Sequence, residues 1–196
     1  MTGDLPIDIP PLAAKAQAIA DRGQWRLSSE PRTGALLRTL AASKPGGRIL
    51  EVGAGLGVGS AWLLAGMDPD ARLIGLEVHA KVAGICRDVL AADPRAEIIT
   101  TNATTWLEEY DGPPFDLVFV DTTEAKFHRR DVVFKNLADG ALFVADDLLP
   151  NDTWTADHPA RVERFRKEIL TEPDLVVTML DWASGLVVGT YRKRRG

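Results

Sequence analysis

The sequence predicts an α/β fold: a doubly wound, mostly parallel sheet of seven strands that ends in an antiparallel hairpin. Three observations carry that prediction. Short apolar runs alternate with helix-forming segments about five times, the pattern of a parallel sheet covered by helices on both sides. The stretch GRILEVGAGLGVGSAWLL, residues 47–64, passes without a break from strand to glycine-rich turn to helix start. Finally, the runs 175–182 and 186–191 are separated only by Ala183, Ser184 and Gly185, a connection too short for a crossover helix, so the two must pair antiparallel.

Taken in order, residues 1–11 hold three prolines and read as a loose arm, followed by a short helix from Leu12 to Arg22 that stops at Gly23. Ser28-Ser29-Glu30-Pro31 is a helix-start signal for Arg32 to Ser43, whose Leu36, Leu37 and Leu40 form one apolar side. Ile49, Leu50 and Val52 belong to a buried strand; a second strand, Ala71 to Leu76, ends at Glu77 and leads into a helix from about Lys81 to Ala92. A third, Glu97 to Thr101, precedes Asn102-Ala103-Thr104-Thr105 and a short helix through Leu107. Phe115 to Val120 is almost wholly apolar, the mark of a central strand buried on both faces, and it stops at Asp121. A helix from about Glu124 to Leu137, a turn at Asp139-Gly140 and a fifth strand, Ala141 to Ala145, capped by Asp146-Asp147, complete the alternation. Ala160 to Leu170 reads as the last helix. Residues 1–28 thus form an arm and short helix, and 29–196 one domain.

Bulk properties narrow the classes. A chain of 196 residues that is 45% hydrophobic buries a core as one domain, with no room for a second catalytic one. The net charge of −5 argues against a nucleic-acid partner, and Arg192-Lys193-Arg194-Arg195 reads as a solvated strand terminus. A single cysteine, Cys86, excludes an intrachain disulfide framework. The N-terminus lacks a signal-peptide pattern and no apolar run approaches the roughly 18 residues of a membrane helix, so the expectation is a cytoplasmic protein without a membrane partner.

The chemistry centres on Gly53, Gly55, Gly57 and Gly59. Glycines at a strand-to-helix turn accept φ > 0 and leave main-chain N–H groups open to a ligand, which points to an adenosine-containing cofactor. With the strand ends at Glu77, Asp121 and Asp146-Asp147, this set resembles the class I S-adenosylmethionine-dependent methyltransferases. Within them it is similar to the small catechol and caffeoyl-CoA type O-methyltransferases. The resemblance covers about Ser29 to Arg192 and rests on ILEVGAGLGVGSAWLL, Glu77, TNATTWL, FDLVFVD and LADGALFVADDLL.

That resemblance implies S-adenosyl-L-methionine as cofactor and a Rossmann-like methyltransferase sheet. Gly53 to Gly59 would supply backbone donors to the methionine carboxylate, and Glu77, 24 residues beyond Gly53, would accept from both ribose hydroxyls. Glu51, a charge that would be costly unpaired inside an apolar strand, faces the methionine amino end in similar enzymes. Ser60 is a weaker candidate, because the family's serine matches position 59, a glycine in this chain. Asn102, Ala103 and Thr104 match the segment that contacts adenine; the plain alternative is a helix cap.

Three carboxylates, Asp121, Asp146 and Asp147, would gather at the carboxyl edge of the sheet, where oxygen donors suit Mg2+ or another divalent cation. The family holds Asp, Asp and Asn there. A metal-held hydroxyl would be aimed at the sulfonium methyl. Against this, the acids could cap strand ends, with Asp121 only orienting the cofactor amine. The family's lysine, three residues after the first metal Asp, is replaced by Glu124, and Lys126 lies roughly 200° around a helix from it. The base is unassigned among Asp121, Glu124 and Lys126.

Three readings follow: a metal-assisted O-methyltransferase of a small hydroxylated, aromatic acceptor; a metal-independent or degraded S-adenosylmethionine protein; and an NAD-dependent oxidoreductase, disfavoured because its third glycine would fall on Val58. Trp154 and Trp182 are candidate pocket walls, with packing the equal alternative; His79 reads as a solvated helix-start residue, with the cofactor edge as the alternative, and His128 and His158 lack ligand spacing with each other. A homodimer follows from the resemblance alone.

Overall fold

Side-chain alternation along the strands divides the interior into two cores. In the computed structural model, which describes residues 7–152 and 154–193, β1 (Arg48–Val52), β2 (Arg72–Glu77), β3 (Ala96–Thr100), β4 (Phe115–Val120) and β5 (Leu137–Ala145) run parallel. With β6 (Leu175–Leu180) and β7 (Leu186–Tyr191) they form one seven-stranded sheet in the order β3-β2-β1-β4-β5-β7-β6. Ile49, Leu117 and Phe119 enter one core and Leu50, Val52, Val118 and Val120 the other, as the two-residue period of a strand dictates. The expected doubly wound sheet is therefore present, reversing direction between β1 and β4.

Helices α1 (Pro11–Arg22), α2 (Pro31–Ala42), α3 (Val58–Gly66) and α4 (Ala80–Leu90) cover the first face. The second lies under α5 (Ala103–Glu109), α6 (Thr123–Phe127), α7 (Arg130–Phe134) and α8 (His158–Ile169). Helix α1 docks through Ala13, Ala16 and Ala20, each essentially without exposure, so its small residues let it lie close to the body. Both α1 and α2 begin on a proline at the first helical position, preceded by an extended residue. No side chain caps α2: Glu30 holds the cap position, which leaves the hydroxyls of Ser28 and Ser29 for other work.

Two boundaries differ from the sequence reading. The expected helix over 124–137 is two five-residue helices broken at His128 and Arg129, whose backbones leave the helical region. Arg130 explains the break, since its guanidinium takes the carbonyls of Lys126 and Phe127 (3.0 and 3.3 Å) that a continuous helix would pair with amides. The expected turn at Asp139-Gly140 is instead an irregularity within β5, where the register against β4 shifts and Gly140 has φ 81°. The hairpin is antiparallel as expected, although β6 stops at Leu180 and Trp182 belongs to the turn. Much of the arm, residues 1–6, and Arg194 and Arg195 of the basic end lie outside the described residues. Among the described residues no helix is long and apolar enough to cross a membrane.

Candidate cofactor and acceptor site

The glycine turn is locked between two strand ends before any ligand arrives. Gly53 N–H and Ala54 N–H both donate to the Leu76 carbonyl (2.9 and 3.0 Å), and Asp121 N–H donates to Val52 O (2.8 Å), so the ends of β1, β2 and β4 are stitched together. Gly53 takes φ 100°, and a Cβ there would come within 2.8 Å of the Asp121 carbonyl; no other residue meets both demands. Gly57, with φ 88°, would point a Cβ at Cys86 and Leu90, so its role is conformational. The turn ends in α3, whose first-turn amides have no intrahelical acceptor.

Between this turn and the segment before α2 lies a pocket bordered by Ser28, Ser29, Glu51, Gly53, Gly59 and Asp121. Of the sequence-predicted residues, Glu51, Gly53, Gly55, Gly59 and Asp121 meet there. Glu77 joins indirectly: its Oε2 accepts Gly55 N–H at 3.1 Å and its Oε1 accepts His79 N–H at 2.9 Å. Each oxygen keeps a second lone pair for a ligand hydroxyl. Ser60 is wholly buried and spends its hydroxyl as donor to Glu51 Oε2. Asn102 caps α5, its Oδ1 accepting from Thr104 N–H (3.0 Å), Thr105 N–H (3.1 Å) and the Thr104 hydroxyl (2.8 Å). Asn102, Ala103 and Thr104 therefore follow the end of β3, beside β2, where Thr101 N–H donates to Glu77 O (3.0 Å).

Burial sets the charges. Desolvation pushes the Glu51 carboxyl up to about 8, against the pull of the Ser60 bond, so Glu51 carries a proton at neutral pH. Asp121 is pushed up to about 7, first by burial and then by Asp146, while Lys126 opposes the shift. Asp146 is likewise raised by burial, against the Ser184 hydroxyl bond. Burial holds the Cys86 thiol at about 12, unreactive.

Sequence reasoning missed two contributors. Ser28 Oγ and Trp25 Nε1 are buried and have no hydrogen-bond partner among the described residues, and Trp25 Nε1 lies 3.8 Å from where a Cβ on Gly55 would stand. An indole N–H can only donate, so the site is short of an acceptor that a ligand oxygen would supply. Helix-cap statistics assign Ser28 to α2, and that was the misleading signal. The first-turn amides of α3, a cradle a Cβ would fill and orphaned donors fit the carboxylate end of S-adenosylmethionine.

A divalent metal fits less well. Asp121 and Asp146 stand side by side, each one residue past the register pair Val120↔Ala145. Asp147 turns away with φ 65°, its Oδ1 accepting from Trp154 Nε1 (2.6 Å) and its Oδ2 lying 3.3 Å from His158 Nε2. Asp146 Oδ1 accepts from the Ser184 hydroxyl and from Asp147 N–H (2.6 Å). Among the described residues no three acids, histidines or cysteines are grouped to hold an ion. Glu124 is exposed, whereas Lys126 is buried with its Nζ 2.6 Å from Asp146 O; the two lie on opposite sides of α6 as helical phase gives, but it is Lys126, not Glu124, that turns toward the strand ends. The tryptophans are also engaged: Trp154 packs at a 32° tilt against His158, ring centroids 4.5 Å apart, and Trp182 lies under the Arg32 guanidinium at 4.0 Å.

Comparison with known proteins agrees with this geometry. A family described as "Methyltransferase domain" matches residues 50–148, just over half the chain. Catechol O-methyltransferase of Mycobacterium tuberculosis is 35% identical over 118 residues, 58% of this chain and 53% of that protein; the chain spans about half the length of the curated relatives it matches. Among solved structures, the O-methyltransferase TomG from Streptomyces achromogenes, in complex with SAM, superposes with TM-score 0.82 at 23% identity, covering 96% of this chain and 93% of that one. The O-methyltransferase from Bacillus cereus in complex with SAH gives TM-score 0.82 at 21% identity, covering 96% and 94%. At these identities the likeness is one of fold.

Proposed function

The chain belongs to the methyltransferase-domain family, and from that premise we propose that it moves a methyl group from S-adenosylmethionine to a hydroxyl oxygen of a small acceptor. The observation that carries the proposal is the pocket itself: a rigid glycine turn, open α3 amides and the Ser28 hydroxyl at its border, with the Trp25 indole N–H beside Gly55, both without a partner among the described residues. Bound there, the cofactor supplies a methyl group on a positively charged sulfur. The first-turn amides of α3 and Ser28 hold its carboxylate. Neutral Glu51 does not repel that carboxylate, and Glu77 takes the ribose hydroxyls with its remaining lone pairs. Transfer is an in-line displacement: the acceptor oxygen forms the C–O bond as the C–S bond breaks, and the rate follows from alignment. Relatives named as O-methyltransferases support oxygen as the acceptor atom. No step is routed through a metal, because both oxygens of Asp147 and one of Asp146 are committed to Trp154, His158 and Ser184. An oxidoreductase reading loses support from Val58, which sits in the core at the place of the third glycine.

Calorimetric titration with S-adenosylmethionine, S-adenosylhomocysteine and NAD tests this. The first two bind and NAD does not; Glu77→Ala weakens both by at least about tenfold, the loss of a charge-assisted pair of bonds. Binding of NAD alone would sink the proposal.

A further inference from the structure

Two acids placed side by side in a buried edge need a countercharge, since each desolvated carboxylate repels the other. Asp121 and Asp146 are in that position by register, one on β4 and one on β5. The usual solution at such an edge is an ion drawn from solution, but the oxygens of Asp147 and one oxygen of Asp146 already serve N–H and O–H donors. The protein's own cation is at hand. Lys126 is 2% exposed, carried inward with Ala125 and Phe127 on α6, and its Nζ reaches the Asp146 carbonyl at 2.6 Å and stands 5.1 Å from the Phe127 ring. A lysine buried to that degree without a compensating anionic environment would be costly; the acid pair provides that environment.

We propose that the ammonium of Lys126 stands in for a divalent cation at the ends of β4 and β5, so that the site holds its acid pair without a metal. Lys126 is then a positioning residue: it ties down the end of β5 through the Asp146 carbonyl, offsets the charge of the Asp121 and Asp146 carboxyls, and lies outside the lining of the cofactor pocket. The inference concerns the pocket assigned above to methyl transfer, and it rests on that reading for its functional meaning; its test reads metal binding, while titration with S-adenosylhomocysteine reads the pocket separately.

The experiment is electron paramagnetic resonance of Mn2+ added to chelator-treated protein. The wild type takes up no Mn2+ at up to about 1 mM, a range in which weak oxygen sites fill. Lys126→Gln, which keeps an N–H donor for the Asp146 carbonyl but removes the charge, gains a Mn2+ site, and Asp146→Asn added to it abolishes the gain. A Lys126→Gln chain that folds only in the presence of Mn2+ supports the proposal equally. Stoichiometric Mn2+ binding by the wild type that Asp146→Asn removes would overturn it. So would a Lys126→Gln chain that takes no Mn2+, whether folded or unfolded. S-adenosylhomocysteine binding by the wild type is expected in every case; its failure would count against the pocket and leave the metal result standing.

Discussion

Gly59 and Glu51 compete for one volume: a Cβ added at position 59 would overlap Glu51 Oε1 and approach Ser29 Oγ to 3.3 Å. Because Glu51 is held by Ser60 in a fully buried setting, the carboxyl cannot swing aside cheaply. Gly59→Ala is expected to destabilise by about 1–3 kcal/mol, the cost of overpacking, read from urea denaturation midpoints. Glu51 also gives stability a pH slope. Its folded pKa, about 8, lies above the ordinary 4.5, so across that window the folded state binds a proton that the unfolded state has released, and stability falls as pH rises. Glu51→Gln lessens the slope, leaving the comparable contribution of Asp121, raised from 3.8 to about 7, and that of Asp146, also raised by burial; an unchanged slope would show that Glu51 is ionised in the folded protein. The acid at position 51 was legible because a charge in an apolar strand demands a partner. That Ser60 meets the demand, nine residues on, needed the turn geometry. Glu124 and Lys126 fall on opposite sides of α6, as the spacing of two residues gives; which of them faces the ends of β4 and β5 was not legible, because it depends on how α6 packs.

At the scale of elements, α5 is only seven residues long and depends on its start. Asn102 accepts two backbone amides there, so Asn102→Ala is expected to cost about 1 kcal/mol, while Asn102→Asp retains most of it; thermal unfolding of the two variants checks this. If Asn102 instead serves the ligand alone, stability of the free protein will not move. Strand cores and their order along the chain were readable from apolar runs. Ends set by side-chain hydrogen bonds were not: Asn136 Nδ2, bonded to Leu107 O (2.8 Å) and Val132 O (2.9 Å), together with Phe115 N–H on Asn136 O, brings β5 forward to Leu137. No periodicity announces such a bond.

For the molecule as a whole, the pocket joins pieces far apart in sequence: the segment before α2, the turn after β1 and the end of β4. A ligand bridging them stabilises the folded form by mass action. At about 100 times its Kd, S-adenosylhomocysteine should add about 2.7 kcal/mol, which for a chain of this size raises Tm by roughly 5–10 °C. Trp25→Phe, which removes a buried donor without removing the ring, should reduce that increment while leaving the free protein's Tm nearly unchanged; an undiminished increment would separate Trp25 from the ligand.

The placing of β7 between β5 and β6 carries one more implication. The strand that is translated later takes the inner berth, and the earlier one can join the sheet only by holding on to it. During synthesis, which proceeds at roughly 5–20 residues per second, the flank of β5 thus waits bare until residue 191 clears the ribosome. Nascent chains stalled before that point should recruit chaperones, and the released chain of residues 1–196 should not.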